Sequence, residues 1–206
     1  LAALILAPLL AALKRDAPGI GVSLRQGLPR PGTNDTARAW EPVLAALDAR
    51  DLDIAVVPLD ATPARFAGRV LYEEAFVIAG RRGHPYFGAP GLAKFCAMRH
   101  LVVSLDGDPF GFVDSALAEK GLSRRVAVTV PNFMLALAVL AEGDLIAALP
   151  GSLVAMHGER FGLVAAPPPL ALPVYAMRAI VPKVALMDAG VAWLYAQLAG
   201  PKPARQ

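Results

Sequence analysis

The 206 residues are 56% apolar and 18% charged, a composition that excludes a disordered chain. Twenty basic residues stand against 17 acidic ones, for a formal net charge of +3, and they are too scattered to form the clustered Lys/Arg face that nucleic acid requires. No apolar run reaches the roughly 18 residues of a membrane span, so the expectation is a soluble protein; the single cysteine, Cys96, excludes an internal disulfide and suits a reducing compartment.

The chain opens LAALILAPLLAALKRDAPGI. Its positive charges follow the apolar run, the reverse of a secretion signal. Leu1, Leu4, Ile5, Pro8, Leu9 and Leu13 recur at helical spacing, which predicts a core helix beginning close to Pro8, where a missing N–H costs little. Gly21–Arg25 reads as a short strand and Gln26–Thr36 as a glycine- and proline-rich loop. Residues 38–49 suggest a helix interrupted or started at Pro42. Asp53–Val57 is a continuous apolar run that fits a buried parallel strand. Val70–Ala79 reads as one long strand, closed by a turn over Arg81–Pro85.

The second half is more regular. His100–Ser104 reads as a strand, Asp106–Gly111 as a loop, and Phe112–Lys120 as a helix closed by Gly121. Arg125–Val130 is a strand. Asn132–Glu142 is a helix with Asn132 at its N-cap and Gly143 at its end. Leu145–Leu149, Ser152–Arg160, Val174–Val181 and Asp188–Leu198 follow as strand, helix, strand and helix, and the PKPARQ tail reads as mobile. This alternation implies an α/β protein with parallel sheets covered by helices, as one doubly wound sheet or two lobes. Ligands in such folds sit at the carboxyl ends of strands.

No G-x-S-x-G, Walker or G-x-G-x-x-G motif occurs, and His84, His100 and His157 have no metal-ligand spacing. His84 reads as a turn residue, His100 and His157 as surface or cap residues, and Cys96 as a buried, inert thiol. The pairs Arg81-Arg82 and Arg124-Arg125 read as solvated surface. No catalytic residue, metal or cofactor is expected. Candidates for binding stand where strands end and loops begin, each beside a plainer reading: Glu74 as an exposed charge, Phe110 as a core aromatic, Asn132 (where helix N–H groups favour anions) as an ordinary N-cap and Arg178 as a surface cation. Ser104 closes the strand before the Phe110 loop.

The phrases LDIAVVP, LYEEAFVIAGRRGHP, HLVVSLDGDPFGFVDSALAEKGLSRRVAVTVPNF, DLIAALPGSLV and FGLVAAPPPLALP occur in that order. Together they resemble the effector-binding domain of LysR-type transcriptional regulators, in the nodulation and aromatic-catabolism branch. The resemblance implies a type 2 periplasmic-binding-protein-like fold, with two Rossmann-like lobes joined by two crossing strands. Lobe I would hold residues 1–72 and 174–206, and lobe II residues 73–173. A small effector, an organic acid or an aromatic, would sit between the lobes against Ile5, Glu74, Ser104, Phe110, Asn132, Met177 and Arg178. Relatives that take aromatic acids often carry histidine where this chain has Glu74, Phe110 and Asn132. Their W-H and R-x-D-P signatures are replaced here by Val181-Pro182 and Met187-Asp188-Ala189.

The resemblance further implies an antiparallel homodimer, with Leu9 and Leu13 of the first helix facing Leu135 and Val139 of the 132–142 helix, and is compatible with a tetramer of the whole regulator. A DNA-binding winged helix-turn-helix, a linker helix and the lobe's first strand would precede residue 1. A cytoplasmic, ligand-sensing regulator without catalytic activity is the leading expectation. A periplasmic solute-binding protein of a transport system is the alternative, and an enzyme using Glu74 the third reading.

Overall fold

The structure, a computed structural model, describes residues 2–27, 29, 30 and 35–198. Leu1, part of the 26–36 loop and the PKPARQ tail lie outside the described residues. The chain divides into two compact units, Leu1–Glu73 with Tyr175–Gln206, and Glu74–Val174.

The first unit has a three-stranded sheet in the order β1-β8-β2, from β1 (Ala55–Pro58), β2 (Phe66–Glu74, whose last residue belongs to the second unit) and β8 (Tyr175–Pro182). β1 and β8 run antiparallel, with Val57 opposite Arg178. Successive residues of β8 serve opposite faces, as the strand period requires. Ile180 packs with Val43, Leu44 and Leu47 of α3 (Glu41–Asp48), while Ala179 packs with Ile5, Leu9 and Leu13 of α1 (Ala2–Asp16). Burying each of these leucines contributes about 1.5–3 kcal/mol, and this decides the helix positions more than propensity does. A short α2 (Thr36–Ala39) is capped by Asp35, and α8 (Ala189–Gln197) by Asp188.

α1 does not begin at Pro8; it runs through it. Pro8 lies on the exposed side of the helix, opposite the buried Ile5, Leu9 and Leu13, so water can satisfy the carbonyl it orphans. Gly21–Arg25 does not form a strand. No described strand lies beside it to complete a ladder, and it is held by Val22 against the α1 cluster and by Arg25, whose guanidinium donates to Asp51 O at 3.0 Å.

The second unit has a five-stranded sheet in the order β5-β4-β6-β3-β7. Its strands are β3 (Phe76–Arg81), β4 (Arg99–Val103), β5 (Arg125–Val130), β6 (Ile146–Pro150) and β7 (Leu163–Ala166). β4 is parallel to β5 and β6, but β3 is antiparallel to β6 and β7, so the sheet is mixed where an all-parallel one was expected. The cause is local. The predicted strand 70–79 breaks at Ala75 into β2 and β3, and no helical crossover separates them.

Helices α4 (Leu92–Ala97), α5 (Phe112–Ala118), α6 (Phe133–Glu142) and α7 (Gly151–His157) join these strands. Ile78 and Ile146 face a cluster with Tyr86, Phe95 and Leu117; Ala79 and Ala147 face one with Leu137, Leu140 and Leu149.

Two expectations for this unit are corrected. His100 is fully buried, its ring edge-on to Phe95, and its Nε2–H donates to Phe95 O at 2.7 Å. Burial pushes its pKa down to about 4. The residue opens a strand, but the strand is interior to the sheet and Phe95 of α4 covers the ring. Arg124 is not solvated surface either: its side chain is 3% exposed and paired with Asp114.

Candidate functional site

In the second unit, sheet register brings several predicted residues to one edge. β4 and β5 are neighbours with Val103 opposite Val130, and Ser104 N–H donates to Val130 O at 2.9 Å. Ser104 and Asn132 therefore leave the sheet side by side. β6 is parallel to β4 and ends at Pro150, opposite Phe76 at the start of the antiparallel β3. Glu74, just before Phe76, thus lies at the same edge as Ser104, Asn132 and the Phe110 loop, beyond the carboxyl ends of β4, β5 and β6. That is where α/β sheets place ligands.

Side-chain oxygens organise this edge. Ser104 Oγ–H donates to Asp106 at 2.7 Å, and Asp106 also accepts from Asp108 N–H at 3.2 Å. The Ser104 hydroxyl, and then the Asp108 N–H, hold the Asp106 carboxyl below its ordinary pKa. Asp108 accepts from Phe110 N–H at 2.9 Å, and Asp114 from Gly111 N–H at 2.9 Å. Arg124 grips Asp114 through both nitrogens, at 2.9 and 2.7 Å. These bonds fix a loop whose apex, Phe110, is 76% exposed. The loop thus presents one aromatic ring to solvent at the carboxyl edge of the sheet.

Asn132 caps α6, accepting from Leu135 N–H at 2.9 Å. Glu74 is 3% exposed and caps α7: it accepts from Ser152 N–H at 3.1 Å and from the Ser152 hydroxyl. Sequence reasoning missed Ser152, Asp106 and Asp108. The D-G-D-P run was a signal for the last two, since Asp at such spacing bonds the N–H two residues on.

In the first unit, Ile5 and Met177 are both 7% exposed, Ile5 in the α1 cluster and Met177 on β8. Arg178 donates from Nε to Leu59 O at 2.7 Å and from Nη2 to Asp60 O at 3.2 Å. The expectation that Leu9 and Leu13 meet a partner subunit is corrected, because both are buried in the core of their own unit; Leu10, 57% exposed, is the residue α1 presents outward. On α6, Leu135 is 42% and Met134 47% exposed, and Val139 is half-buried. A separate surface cavity of about 470 Å³ beside α8, lined by Arg50, Leu52, Val184 and Met187, contains none of the predicted residues. Among the described residues, no group of three His, Cys, Asp or Glu is placed to hold a metal ion, and no helix is long and apolar enough to cross a membrane.

Residues 1–200 match the LysR substrate-binding domain family. The chain belongs to that family. As a LysR substrate-binding domain it is 30% identical over 138 residues to the transcriptional regulator LinR of Sphingobium indicum, covering 66% of this chain and 46% of LinR. It is 33% identical over 132 residues to the transcriptional activator NahR of Pseudomonas putida, covering 64% and 44%. The chain thus spans about half the length of these curated relatives. The regulatory domain of MexT, a transcriptional activator of Pseudomonas aeruginosa, superposes with a TM-score of 0.72 at 27% identity, over 94% of this chain and 89% of that one. A probable transcriptional regulator from the same organism superposes at 0.76 and 28%, over 98% and 63%. The fold is the periplasmic-binding-protein-like α/β fold of LysR regulatory domains.

Proposed function

We propose that this chain is the ligand-sensing part of a DNA-binding transcriptional regulator of the cytoplasm, and not a transport protein or an enzyme. Lobe I corresponds to residues 1–72 with 174–206 and lobe II to residues 73–173. The effector-contacting residues are Ser104, Phe110 and Asn132 of lobe II, beside Glu74, and Ile5, Met177 and Arg178 of lobe I. The observation that carries this reading is the meeting of Ser104, Asn132 and the exposed Phe110 beyond adjacent parallel strands. An effector that favours one lobe arrangement over another shifts the population, and the shift passes to DNA through the dimer. That homodimer pairs the outward face of α1, at Leu10, with Leu135 and Val139 of α6. In the full-length regulator, DNA is bound by a winged helix-turn-helix ahead of Leu1.

The reading frame upstream of the Leu1 codon tests the regulator assignment. A Lys/Arg-rich helix-turn-helix segment is expected there, and a secretion signal would overturn it in favour of a solute-binding protein. Thermal-shift screening of small aromatic and aliphatic compounds then tests the site. Phe110→Ala and Asn132→Ala are expected to weaken binding while the domain stays folded, and unchanged affinity in both would move the site elsewhere.

A further inference from the structure

Of the eight Asp/Glu between Glu74 and Val174, Glu119, Glu142, Asp144 and Glu159 lie at the same end of the sheet as the arginines, where Asp144 pairs with Arg81, and the other four lie at the opposite edge. Glu74, Asp106, Asp108 and Asp114 all lie at the carboxyl edge of β4, β5 and β6. The cations lie at the other end. Arg81 closes β3 and Arg82 follows it, Arg99 and Arg125 open β4 and β5, and Arg160 precedes β7. Only Arg124 reaches toward the acidic edge, and its guanidinium is buried against Asp114.

Three helices also start at this edge, and helix N-termini ordinarily welcome anions. Each is already capped from within: α5 by Asp114, α6 by Asn132 Oδ1, and α7 by the Glu74 carboxylate. Asp106 and Asp108 are exposed, and no cation among the described residues is paired with either. In the first unit, Arg178 directs Nε and Nη2 at the Leu59 and Asp60 carbonyls.

We infer that the effector is an uncharged aromatic compound bearing hydroxyl or amide hydrogen-bond donors, and that the site discriminates against carboxylates. The inference rests on the effector site lying at this edge. Phe110 supplies the ring contact. The free oxygens of Asp106 and Asp108 accept from the ligand's O–H or N–H, a charge-assisted bond for a neutral ligand and a repulsion for an anion.

Isothermal titration of the 206-residue chain with two isosteric pairs, salicylamide against salicylate and benzamide against benzoate, tests this at neutral pH. Each amide is expected to bind roughly tenfold or more tightly than its acid, the order of one like-charge contact in a half-screened site. Asp106→Asn/Asp108→Asn keeps the turn acceptors and removes the charges, so it should close most of that gap. Phe110→Ala should weaken both members of each pair. Salicylate or benzoate binding as tightly as its amide, with Phe110→Ala weakening both, would overturn the ligand class while leaving the site in place. An amide preference untouched by Phe110→Ala and by the double variant would instead overturn the site itself, and the inference with it.

Discussion

The carboxylate of Glu74 spans the start of α7, accepting from both the N–H and the hydroxyl of Ser152 in a setting that leaves the glutamate 3% exposed. A buried acid at a strand end looks like a reactive group, but here both its oxygens are engaged in holding a helix. Glu74→Ala leaves the Ser152 N–H uncapped and is expected to cost about 2–3 kcal/mol, whereas Glu74→Gln keeps an acceptor and costs about 1 kcal/mol. Urea denaturation checks the pair. Equal costs would mean that the hydrogen bonds do not hold the start of α7.

The bidentate Arg124–Asp114 pair is another buried polar device in the second unit. Removing one partner strands the other charge, so Arg124→Ala is expected to destabilise by roughly 3 kcal/mol. In a double-mutant cycle with Asp114→Ala, a coupling of at least about 1 kcal/mol is expected. Because Asp114 also holds Gly111 N–H, Arg124→Ala should speed chymotryptic cleavage after Phe110.

His100 makes stability depend on pH. Its pKa falls from 6.5 to about 4 on burial, so the folded state favours the neutral ring. The contribution is fully present above pH 6.5 and is lost as pH falls through 4, because the unfolded chain binds the proton first. Between pH 7.5 and 4.5 this amounts to roughly 2–3 kcal/mol. Urea midpoints should therefore drop less over that range in His100→Phe than in the wild type, even though the variant starts lower, with Phe95 O left without its donor.

Arg50 closes α3 in the left-handed region, at φ 61°. Its N–H donates to Leu47 O at 3.2 Å and Asp51 N–H to Ala46 O at 2.9 Å, the bond pair of a helix ending that glycine normally occupies. Arg50→Gly relieves the Cβ clash and is expected to stabilise by roughly 0.5–1 kcal/mol, raising the melting temperature.

What the sequence revealed depended on whether the determining partners were local. The cap at Asn132 was legible because a cap bonds an N–H group three residues away. The Ile5, Leu9 and Leu13 stripe was legible from helical period, but period alone could not say whether Leu9 and Leu13 faced a core or a partner subunit. The positions of Ser104, Phe110 and Asn132 followed from strand ends. Long-range partners were invisible: Ser152 lies 78 residues from Glu74, and nothing near His100 indicated that β4 is interior to the sheet. Gly21–Arg25 has strand-like composition without a neighbouring strand, and composition does not supply one. The recurring phrases were decisive for family, because their order records the whole topology at once.

In the proposed function, a small molecule is sensed at the carboxyl edge of β4 and β5. Amide hydrogen exchange of the 206-residue chain, with and without the compound that raises its melting temperature most, tests this directly. New protection is expected over residues 104–111 and 131–135. Protection confined to the cavity around Arg50 and Met187, with the Phe110 loop unchanged, would contradict it.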